Sequence, residues 1–576
     1  MAGHCPQSDA LCSDFRDTVR TRRLRVSTSW LAIFAVFVAH ARGDTVRVPA
    51  DHSSIQSAID TASAGDTVLV SAGTYHERIR IRAGVAVRSE GDDSRGESGL
   101  QRAERTIIDG DGASGTAPGV LMAQGSVLDG FTVTNVGVYD DKSWNQHHAT
   151  YGNQQAHEHI GAPGTPGIGM TGVDCRVSNN VVHHIGYTGI AIQGVDGKQC
   201  QPLVTNNVCY RNMGAGIGSM KKSAALIEGN ICFQNFYAGI GHDNASPMVI
   251  NNDCYENIRA GVGISEGACP VVRGNKCHKN RRAGIGVRTG GNTQPIIEDN
   301  DCFGNHMAGI GAEEEASPVI RRNRCFKNKL AGIGIRSHAT ATITNNNCYE
   351  NDSTGIGQES DAVTTLIGNQ CHHNGESGIG FAACSAGRSV VTKNTVFDNA
   401  KVAVGIHSGW KVVMSANRLS RAGGLPPIMM VFAGADVTLT DNVIEGGGVA
   451  GVRVAGRVRF VHNDLVGTSL RKVGPPNFAV WALPGADITM TDNTARNWRH
   501  ALHATESMVH ARRNRIESFH GAAIVVKNAP NPVSIVNNTA VSANPDDKVV
   551  LLTDTFGMVR DNMIVVPDTI DAEGRQ

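Results

Sequence analysis

The sequence predicts an all-β solenoid, in which one short unit recurs and stacks into a parallel β-helix. The first observation is the motif Ala-Gly-Ile-Gly, which occurs eight times with small variations between residues 215 and 380. Its first glycines stand 22 to 25 residues apart: Gly216, Gly239, Gly261, Gly284, Gly309, Gly332, Gly355 and Gly378. A fixed period of this length is typical of a repeat solenoid. The unit is too short for a pair of helices and fits one β-coil that stacks about 4.8 Å above the last.

The second observation is an asparagine–cysteine pattern that precedes each glycine motif, as in "NRCFKN" at 323–328. Its cysteines keep one register: Cys209, Cys232, Cys254, Cys277, Cys302, Cys325, Cys348 and Cys371. We expect them to form a buried, reduced thiol column, because parallel Cβ vectors in stacked coils fit disulfide geometry poorly. Corner asparagines extend from Asn180 to Asn562, since Asn tolerates a left-handed corner and its amides can pair between coils. They predict 17 coils, or about 80 Å of solenoid.

The segment "SIQSAIDTASAGDTVLVSAGTYHERIRIRAGVAVRSEG" at 54–91 resembles the opening of pectin-lyase-like right-handed parallel β-helix proteins. In that resemblance "IQSAIDTA" is the amphipathic helix that caps the solenoid, and "GDTVLVSAGTYHE" is the first coil. The resemblance covers about residues 45–565 and implies the fold. It leaves the activity open, because the superfamily includes lyases, hydrolases, epimerases, esterases and proteins without known chemistry.

Composition and the N-terminus predict where the protein works. Four arginines precede the apolar run "WLAIFAVFVA", and "AHA" at 39–41 fits a signal-peptide cleavage site. Lys+Arg and Asp+Glu are both 53, so no basic surface favours nucleic acid. No apolar run long enough for a membrane span follows the leader. We therefore expect a secreted, periplasmic or cell-surface monomer.

The sequence divides into five segments. These are a signal peptide (1–41), an N-terminal cap with the first coils (42–135), a His-rich loop insertion (136–170), regular coils (171–400), and less regular C-terminal coils with a tail (401–576).

The second glycine of each motif suggests a binding groove. In "GIGIR" at 332–336, strand alternation turns Ile333 and Ile335 inward and Gly334 outward. The first glycine is expected to take a positive φ at the corner. The outward glycines are Gly218, Gly241, Gly263, Gly286, Gly311, Gly334, Gly357 and Gly380. One interpretation is that they form a bare track on which a saccharide chain lies close to the backbone. The other is that each repeat inherited its glycine because the corner sterically requires one.

A charged column follows the glycine track. It comprises Met220, Asp243, Ser265, Arg288, Glu313, Arg336, Glu359 and Ala382. One interpretation is a self-neutralising ladder of opposite charges on neighbouring strands. The other is a cleft in which guanidinium groups bind carboxylates of an acidic polysaccharide. For that cleft the catalytic candidates are Asp243, Glu266, Arg288 and His242. The substrate-binding candidates are Lys221, Glu313, Arg336, Glu359 and Trp144.

The loop 136–170 is the second candidate site. Its metal-ligand candidates are His147, His148, His157 and His159, because imidazole suits zinc or copper. Trp144 would stack on a sugar ring. The alternative is a polar lid that decorates the solenoid. The cofactor stays unknown, with calcium or a transition metal as the candidates.

Three functional hypotheses follow. The first is an exported β-helix that binds and processes an acidic extracellular polysaccharide by lyase, hydrolase or epimerase chemistry. The second is a periplasmic metal-handling protein, since the coils also resemble the copper-delivery β-helix proteins of nitrous-oxide reductase maturation. The third is an adhesion solenoid without catalysis. Signature sequences of pectate lyases, polygalacturonases and alginate epimerases are absent from the chain, so no particular enzyme is implied.

Overall fold

The computed structural model describes residues 43–113, 115–154, 164–195 and 199–567. The predicted signal peptide and the loop histidines His157 and His159 lie outside these residues. Within the described ranges, no helix has the length and apolar character needed to cross a membrane.

The chain winds into coils of three short strands. Except at the two ends of each sheet, a strand pairs in parallel with the equivalent strand one coil before and one coil after it. We call the resulting sheets sheet 1, sheet 2 and sheet 3, in the order in which the chain passes through a coil. The register is constant between coils: Cys232 lies opposite Cys254, and Gly241 lies opposite Gly263. This pairing confirms the predicted parallel β-helix.

Among the described residues, sheet 1 has 21 strands, sheet 2 has 20 and sheet 3 has 19. Sheet 1 consists of Thr45–Val48, Thr67–Val70, Ala86–Ser89, Val127–Asp129, Arg176–Ser178, Leu203–Thr205, Leu226–Glu228, Met248–Ile250, Val271–Arg273, Ile296–Glu298, Val319–Arg321, Thr340–Thr344, Val363–Ile367, Arg388–Thr392, Lys411–Ser415, Asp436–Thr440, Arg457–Val461, Asp487–Thr491, Met508–Arg512, Val533–Val536 and Gly557–Arg560. Sheet 2 consists of Gly73–His76, Thr106–Gly112, Thr132–Val136, Val181–Ile185, Val208–Tyr210, Ile231–Phe233, Asp253–Tyr255, Lys276–His278, Asp301–Phe303, Arg324–Phe326, Asn347–Tyr349, Gln370–His372, Thr395–Phe397, Arg418–Arg421, Val443–Gly446, Asp464–Gly467, Thr494–Arg496, Arg515–Glu517, Thr539–Val541 and Met563–Val565. Sheet 3 consists of Ile79–Arg80, Val120–Leu121, Ile168–Thr171, Ile190–Gln193, Ile217–Met220, Ile240–Asp243, Val262–Ser265, Ile285–Val287, Ile310–Ala312, Ile333–Ile335, Ile356–Gln358, Ser377–Phe381, Val402–Ile406, Met429–Val431, Ala450–Val454, Phe478–Ala482, His500–Thr505, Ala522–Lys527 and Lys548–Thr553.

Short helices interrupt the coils. They are α1 (Ile55–Thr61), α2 (Gln101–Arg105), α3 (Asp141–His148) and a single 3₁₀ turn (Gly152–Gln154). In α1, Ile55, Ala58 and Ile59 are fully buried over the N-terminal end of the core. The Glu77 carboxylate accepts the backbone N–H groups of Ile55 (2.8 Å) and Gln56 (2.9 Å), which satisfies the free donors at the start of α1. The predicted capping helix is confirmed.

A ladder of asparagines, all buried except the partly exposed Asn562, joins sheet 1 to sheet 2. Each Nδ2 donates to Oδ1 of the asparagine one coil later, as from Asn300 to Asn323 at 2.9 Å. The ladder comprises Asn180, Asn207, Asn230, Asn252, Asn275, Asn300, Asn323, Asn346, Asn369, Asn394, Asn417, Asn442, Asn463, Asn493, Asn514, Asn538 and Asn562. The predicted 17 coils are too few, because four strands of sheet 1 precede Asn180 without such an asparagine.

The left-handed corner residue is the one before the ladder asparagine. Arg322 has a φ of 56° ahead of Asn323, and Lys327 has a φ of 55° ahead of Asn328. Asn328 belongs to a second ladder between sheets 2 and 3, in which its Nδ2 donates to Asn351 at 2.9 Å. The asparagines therefore serve as buried hydrogen-bonding groups, and the residue before each of them supplies the turn.

The eight column cysteines are buried and unpaired, as predicted for their burial and their thiol state. Cys325 lies opposite Cys348 in sheet 2, and both have no exposed surface. Burial raises the pKa of the Cys325 thiol well above its usual value. The column is thus a neutral, apolar filler of the core.

The first glycine of each motif was expected to have a positive φ, and this expectation is wrong. All eight lie in the described part of the chain, and none has a positive φ. A Cβ on Gly332 would instead lie 2.7 Å from the Gly355 carbonyl oxygen and 2.9 Å from Asn351 Nδ2. Glycine is required here because the backbone passes directly against the second asparagine ladder.

Candidate functional site

The outward glycines of sheet 3 form the floor of a long open groove of about 900 Å³. A Cβ on Gly241 would meet only the Ala215 Cβ at 3.6 Å, and one on Gly311 would meet nothing within 4 Å. These two glycines therefore face open space, whereas a Cβ on Gly357 would lie 2.7 Å from Thr354 Oγ1. The floor comprises Gly218, Gly241, Gly263, Gly286, Gly311, Gly334, Gly357, Gly380 and, missed in the sequence, Gly405. Nine coils are eight steps of about 4.8 Å, so the floor is about 38 Å long.

Two rows of side chains border this floor. The downstream wall follows the sheet 3 strands and comprises Met220, Asp243, Ser265, Arg288, Glu313, Arg336, Glu359, Ala382 and His407. The upstream wall precedes them and comprises Tyr187, Tyr237, Arg259, Arg282, Met307, Leu330, Ser353, Glu376 and Lys401. The charged column predicted from the repeat coincides with the downstream wall, because the register between coils is constant. The upstream wall was not predicted.

The middle of the groove is cationic. Arg288 and Arg336 on the downstream wall lie near Arg282 on the upstream wall, with Glu313 as the neighbouring carboxylate. Burial lowers the pKa of Arg282, and the positive charges of Arg288 and Arg336 lower it further, while Glu313 acts in the opposite direction. Arg336 Nε donates to Glu313 Oε2 at 2.7 Å. Over these three coils the walls of the groove carry three guanidinium groups and one carboxylate, so positive charge is in excess.

An acidic pair lies toward the N-terminal end of the groove. Burial and the negative charge of Glu266 both raise the pKa of the Asp243 carboxyl. Asp243 lines the groove, and Glu266 is an exposed residue with a φ of 55° at the turn after the next strand. A carboxyl group with a raised pKa is suited to general acid or base chemistry.

The groove ends where larger side chains replace the glycines. At the equivalent position, Ala191 lies one coil before Gly218, and Met430 lies one coil after Gly405. Beyond Met430 the same position is filled by Arg453 and Trp481. The side chain of His407 stacks on Phe432 with ring centroids 3.9 Å apart beside this end.

The structure removes His242 from the catalytic candidates. His242 lies two residues after Ile240 on the same strand, so its side chain also points inward. It is 3% exposed and lies opposite the buried Ser219 of the preceding coil. Burial lowers the pKa of its imidazole to about 3. The imidazole is therefore a buried, neutral group on the inner side of the strand, although the residue borders the groove.

The remaining charged candidates lie on or beside the downstream wall. Glu359 is exposed along the groove. Lys221 is exposed at the turn that follows Met220, where its backbone N–H donates to the Asp243 carbonyl oxygen. Lys221 thus borders the Asp243 end of the groove without lining it.

Trp144 is not a sugar platform, contrary to the prediction. It is 2% exposed, packs with Phe236 and Ile258, and donates from Nε1 to the Gln234 carbonyl oxygen at 2.9 Å. The Arg211 guanidinium lies 4.4 Å from its ring centroid. Trp144 instead anchors α3 to the outside of the coils.

The described loop histidines, His147 and His148, also pack in this anchor, whereas the other two predicted metal ligands, His157 and His159, lie outside the described residues. His147 is buried against Phe236, with ring centroids 4.8 Å apart. His148 stacks on Trp144 at 4.5 Å, and Arg281 Nη2 lies 2.7 Å from its Nε2. Burial and the charge of Arg281 lower the pKa of His148 to about 4.

One group of potential metal ligands occurs among the described residues. His76, Asp109 and Asp111 offer ligand atoms within 4.8 Å of one another in the first coils of sheet 2. His76 Nδ1 lies 3.1 Å from the Asp111 carboxylate, and Asn135 Nδ2 donates to Asp109 at 2.8 Å. These contacts explain why the three residues lie together: they form an exposed polar network on the surface.

Sheet 2 carries a stack of rings on its outer face. The rings are His183, Tyr210, Phe233, Tyr255, His278, Phe303, Phe326, Tyr349, His372 and Phe397, with centroids 4.7 to 5.3 Å apart. Their faces cover one another, so they are closed to a sugar ring.

Comparison with known proteins bears on the fold. The family model described as the right handed beta helix region matches residues 118–293, 243–357 and 320–495, together more than half of the chain. No curated protein matches the sequence.

Solved structures resemble the chain only distantly. The A-module of the Azotobacter vinelandii mannuronan C-5 epimerase AlgE4 is 16% identical, with a TM-score of 0.32, over 78% of this chain and 97% of that one. A mannuronic acid specific polysaccharide family 6 lyase from human gut microbiota is 12% identical, with a TM-score of 0.30, over 72% and 86%. The periplasmic alginate epimerase AlgG is 10% identical, with a TM-score of 0.28, over 69% and 77%. At these values the likenesses carry no argument about chemistry.

Proposed function

The chain belongs to the right-handed β-helix family, and on that scaffold we propose that the groove of sheet 3 binds a linear acidic polysaccharide. The observation that supports this most is the convergence of Arg282, Arg288 and Arg336 over a floor without side chains. A guanidinium group binds a carboxylate through two parallel hydrogen bonds. A chain of uronic acid sugars presents carboxylates at regular intervals to such groups.

The shape of the groove suits an extended polymer. Its floor runs parallel to the solenoid axis over about 38 Å, so several sugars of one chain lie along it. Because the floor lacks side chains, sugar rings approach the backbone closely. The walls then contact groups on both edges of the chain.

We further propose that Asp243 processes this polymer, with Glu266 setting its protonation. As a base, Asp243 would remove the proton beside a uronate carboxylate, which begins both elimination and epimerisation. As an acid, it would protonate the glycosidic oxygen, which begins hydrolysis.

We place this activity outside the cytoplasm, in the periplasm or at the cell surface. The proposal follows from the leader with its small-residue cleavage site at 39–41. Extracellular and periplasmic compartments are also where long acidic polysaccharides occur.

Calorimetric titration with a panel of uronate polymers tests the binding proposal. Each polymer is paired with a carboxyl-reduced form of itself, which has the same backbone without charge. We expect the acidic form alone to bind, and Arg288→Ala to weaken it by about tenfold or more, since charge-assisted pairs are the strong ones. The matched control is Arg324→Ala, which removes an exposed guanidinium group, paired with Asp301, from the outer face of sheet 2. Equal affinity for acidic and reduced polymers would refute the proposal.

Incubation of the bound polymer in deuterated water tests the chemistry. Deuterium at the carbon beside the carboxylate, with intact chain length, indicates epimerisation. New unsaturated ends indicate elimination, and new reducing ends without unsaturation indicate hydrolysis. We expect Asp243→Asn to abolish whichever product forms while binding is retained. Full activity in Asp243→Asn contradicts the catalytic assignment and leaves the binding proposal in place.

A further inference from the structure

We infer that Arg453 and Trp481 form a further subsite for a uronate sugar, beyond the C-terminal end of the groove. The inference rests on the proposed function, because this sugar belongs to the same acidic polymer. It lengthens the surface that the polymer covers and adds an aromatic contact to the charged ones.

The two residues continue the line of the groove floor. In sheet 3, Gly405 lies opposite Met430, and Met430 lies opposite Arg453. Arg453 in turn lies opposite Trp481. Two and three steps between coils place Arg453 and Trp481 about 10 Å and about 14 Å beyond the last floor glycine. A linear polymer that leaves the groove along the solenoid axis therefore passes over both of them.

Met430 separates this subsite from the glycine floor. The residue is partly exposed on the outer side of sheet 3. A methionine side chain is unbranched and flexible, so it can repack beneath a ligand. The polymer can thus cross this coil by moving one adaptable side chain.

Trp481 differs from the other tryptophans in the described ranges. Trp144, Trp410 and Trp498 are at most 2% exposed, and each donates its indole N–H to a backbone carbonyl oxygen. Trp481 is partly exposed, and among the described residues its N–H has no acceptor. Such an indole offers an apolar surface to the C–H groups of a sugar ring and a donor to one of its hydroxyls.

The packing around Trp481 holds the indole apart from the neighbouring rings. Phe478 meets it edge to face, with centroids 5.9 Å apart and ring planes at 83°. Phe478 stacks in parallel on His503 of the next coil instead, at 4.5 Å. In the described part of the chain no ring stacks face to face on Trp481, in contrast to the covered rings of sheet 2.

The Arg453 guanidinium lies over the same indole, with Cζ 5.3 Å from the ring centroid. A guanidinium group that stacks on an aromatic ring keeps the N–H groups in its plane available for hydrogen bonds. Within the described ranges no carboxylate pairs with Arg453, and its Nε has no hydrogen-bond partner. By contrast, Arg459 on the following strand donates to Asp436 at 2.8 Å. Arg453 is thus suited to the carboxylate of a uronate whose ring packs on Trp481.

Tryptophan fluorescence of the full chain, titrated with a long uronate polymer, tests this subsite. We expect the emission to shift to shorter wavelength as the polymer excludes water from Trp481. Trp481→Phe should lose the shift, because the other tryptophans in the described ranges are already buried.

Arg453→Met tests the carboxylate contact. The variant keeps an unbranched apolar stem beside the indole and removes the charged donors, so it should weaken binding of the polymer by about tenfold. The matched control is Arg459→Met, which removes a guanidinium group from the outer face of sheet 1.

Uronate oligomers of increasing length test the continuity with the groove. Five steps between coils separate Gly334, in the cationic middle of the groove, from Arg453, which is about 24 Å. The concentration that gives half of the fluorescence shift should fall by about tenfold or more once one oligomer spans this distance, because a single molecule then contacts both sites. A uronate disaccharide that gives the shift at the same concentration as a long oligomer would show that Trp481 binds sugar independently of the groove, and would overturn the inference.

The inference and the groove proposal fail in different ways. Polymer binding that depends on Arg288 but leaves the emission of Trp481 unchanged refutes the inference alone. So does an Arg453→Met variant that binds the polymer as well as Arg459→Met does. If no acidic polymer binds the parent, both proposals are wrong. Circular dichroism of each variant confirms that it is folded.

Discussion

Arg336 donates from Nε to a carboxylate oxygen of Glu313 over 2.7 Å, across the boundary between two neighbouring coils of the groove. The side chains are 37% and 23% exposed, so the pair is open to the groove. Glu313 thus holds Arg336 in the way that the carboxylate of an acidic sugar would. A bound polymer must compete with this internal carboxylate for the same guanidinium.

We therefore predict that Glu313→Gln raises the affinity for an acidic polymer. A partly exposed ion pair contributes about 0–1 kcal/mol, so releasing Arg336 should strengthen binding by about two- to fivefold. Glu359→Gln serves as the matched control, because it removes a negative charge from the same wall at an exposed position. Titrations of both variants at one ionic strength isolate the effect of the pair. An increase of equal size in the two variants would show that Glu313 acts only through the general charge of the groove.

The fold and one wall of the groove could be predicted because both follow from periodicity. Strand alternation gives the outward direction of Gly334, and the constant repeat places Asp243 and Glu359 in one column. The same alternation predicts that the side chain of His242 points inward, as that of Ile240 does. His242 was chosen as a catalytic candidate together with its neighbour Asp243 at the end of the charged column, without applying that rule.

The upstream wall could not be predicted in this way. Arg259 and Arg282 lie at the corner before the strands of sheet 3, where backbone direction depends on turn geometry and no period applies. Trp144 was misassigned for a different reason. Its hydrogen bond to Gln234 joins residues 90 positions apart, and only the folded coils bring them together.

The thiol column gives a prediction for stability. Native protein should react with a thiol reagent at the exposed Cys269, and Cys325 and Cys348 should react only after denaturation. Cys325→Ala should remain folded, whereas Cys325→Arg should abolish folding, because an unpaired buried charge costs several kcal/mol. Mass spectrometry of labelled peptides and circular dichroism check the two parts. Rapid labelling of Cys325 in the native state would show that the coils open readily.

The contact of α3 should weaken in acid. The pKa of His148 is lowered from 6.5 to about 4 by burial and by the Arg281 charge, so the folded contact favours the neutral ring. A depressed histidine pKa means that this contribution is complete above pH 6.5 and is lost as the pH falls toward 4. Hydrogen exchange of residues 141–148, corrected for intrinsic rates, should therefore speed up between these values. His148→Gln should remove the pH dependence, because the amide still accepts from Arg281 and does not titrate in this range. An unchanged profile in that variant assigns the effect to another group.

The two glycines of one motif should respond oppositely to the same substitution. A Cβ on Gly332 would lie 2.7 Å from the Gly355 carbonyl oxygen, so Gly332→Ala overpacks the coil and should cost about 1–3 kcal/mol. A Cβ on Gly334 would meet nothing closer than the Ala308 Cβ at 3.6 Å, so Gly334→Ala should leave the unfolding midpoint unchanged or slightly higher. Thermal unfolding of both variants, followed by circular dichroism, measures the difference. Equal destabilisation by the two substitutions would show that the floor glycines are as sterically constrained as the corner glycines.

Gly334→Leu extends this comparison to binding. The leucine side chain would project from the middle of the floor, between Ala308 and the downstream wall, and fill the space that a sugar ring needs. We expect affinity for the acidic polymer to fall by about tenfold or more while the unfolding midpoint stays close to that of the parent, because the side chain enters open space rather than the core. The matched control is Val413→Leu, which enlarges an exposed side chain on sheet 1. Unchanged affinity in Gly334→Leu, with a polymer that binds the parent, would exclude the floor of sheet 3 as the binding surface, because a polymer on this floor cannot avoid a side chain at its centre.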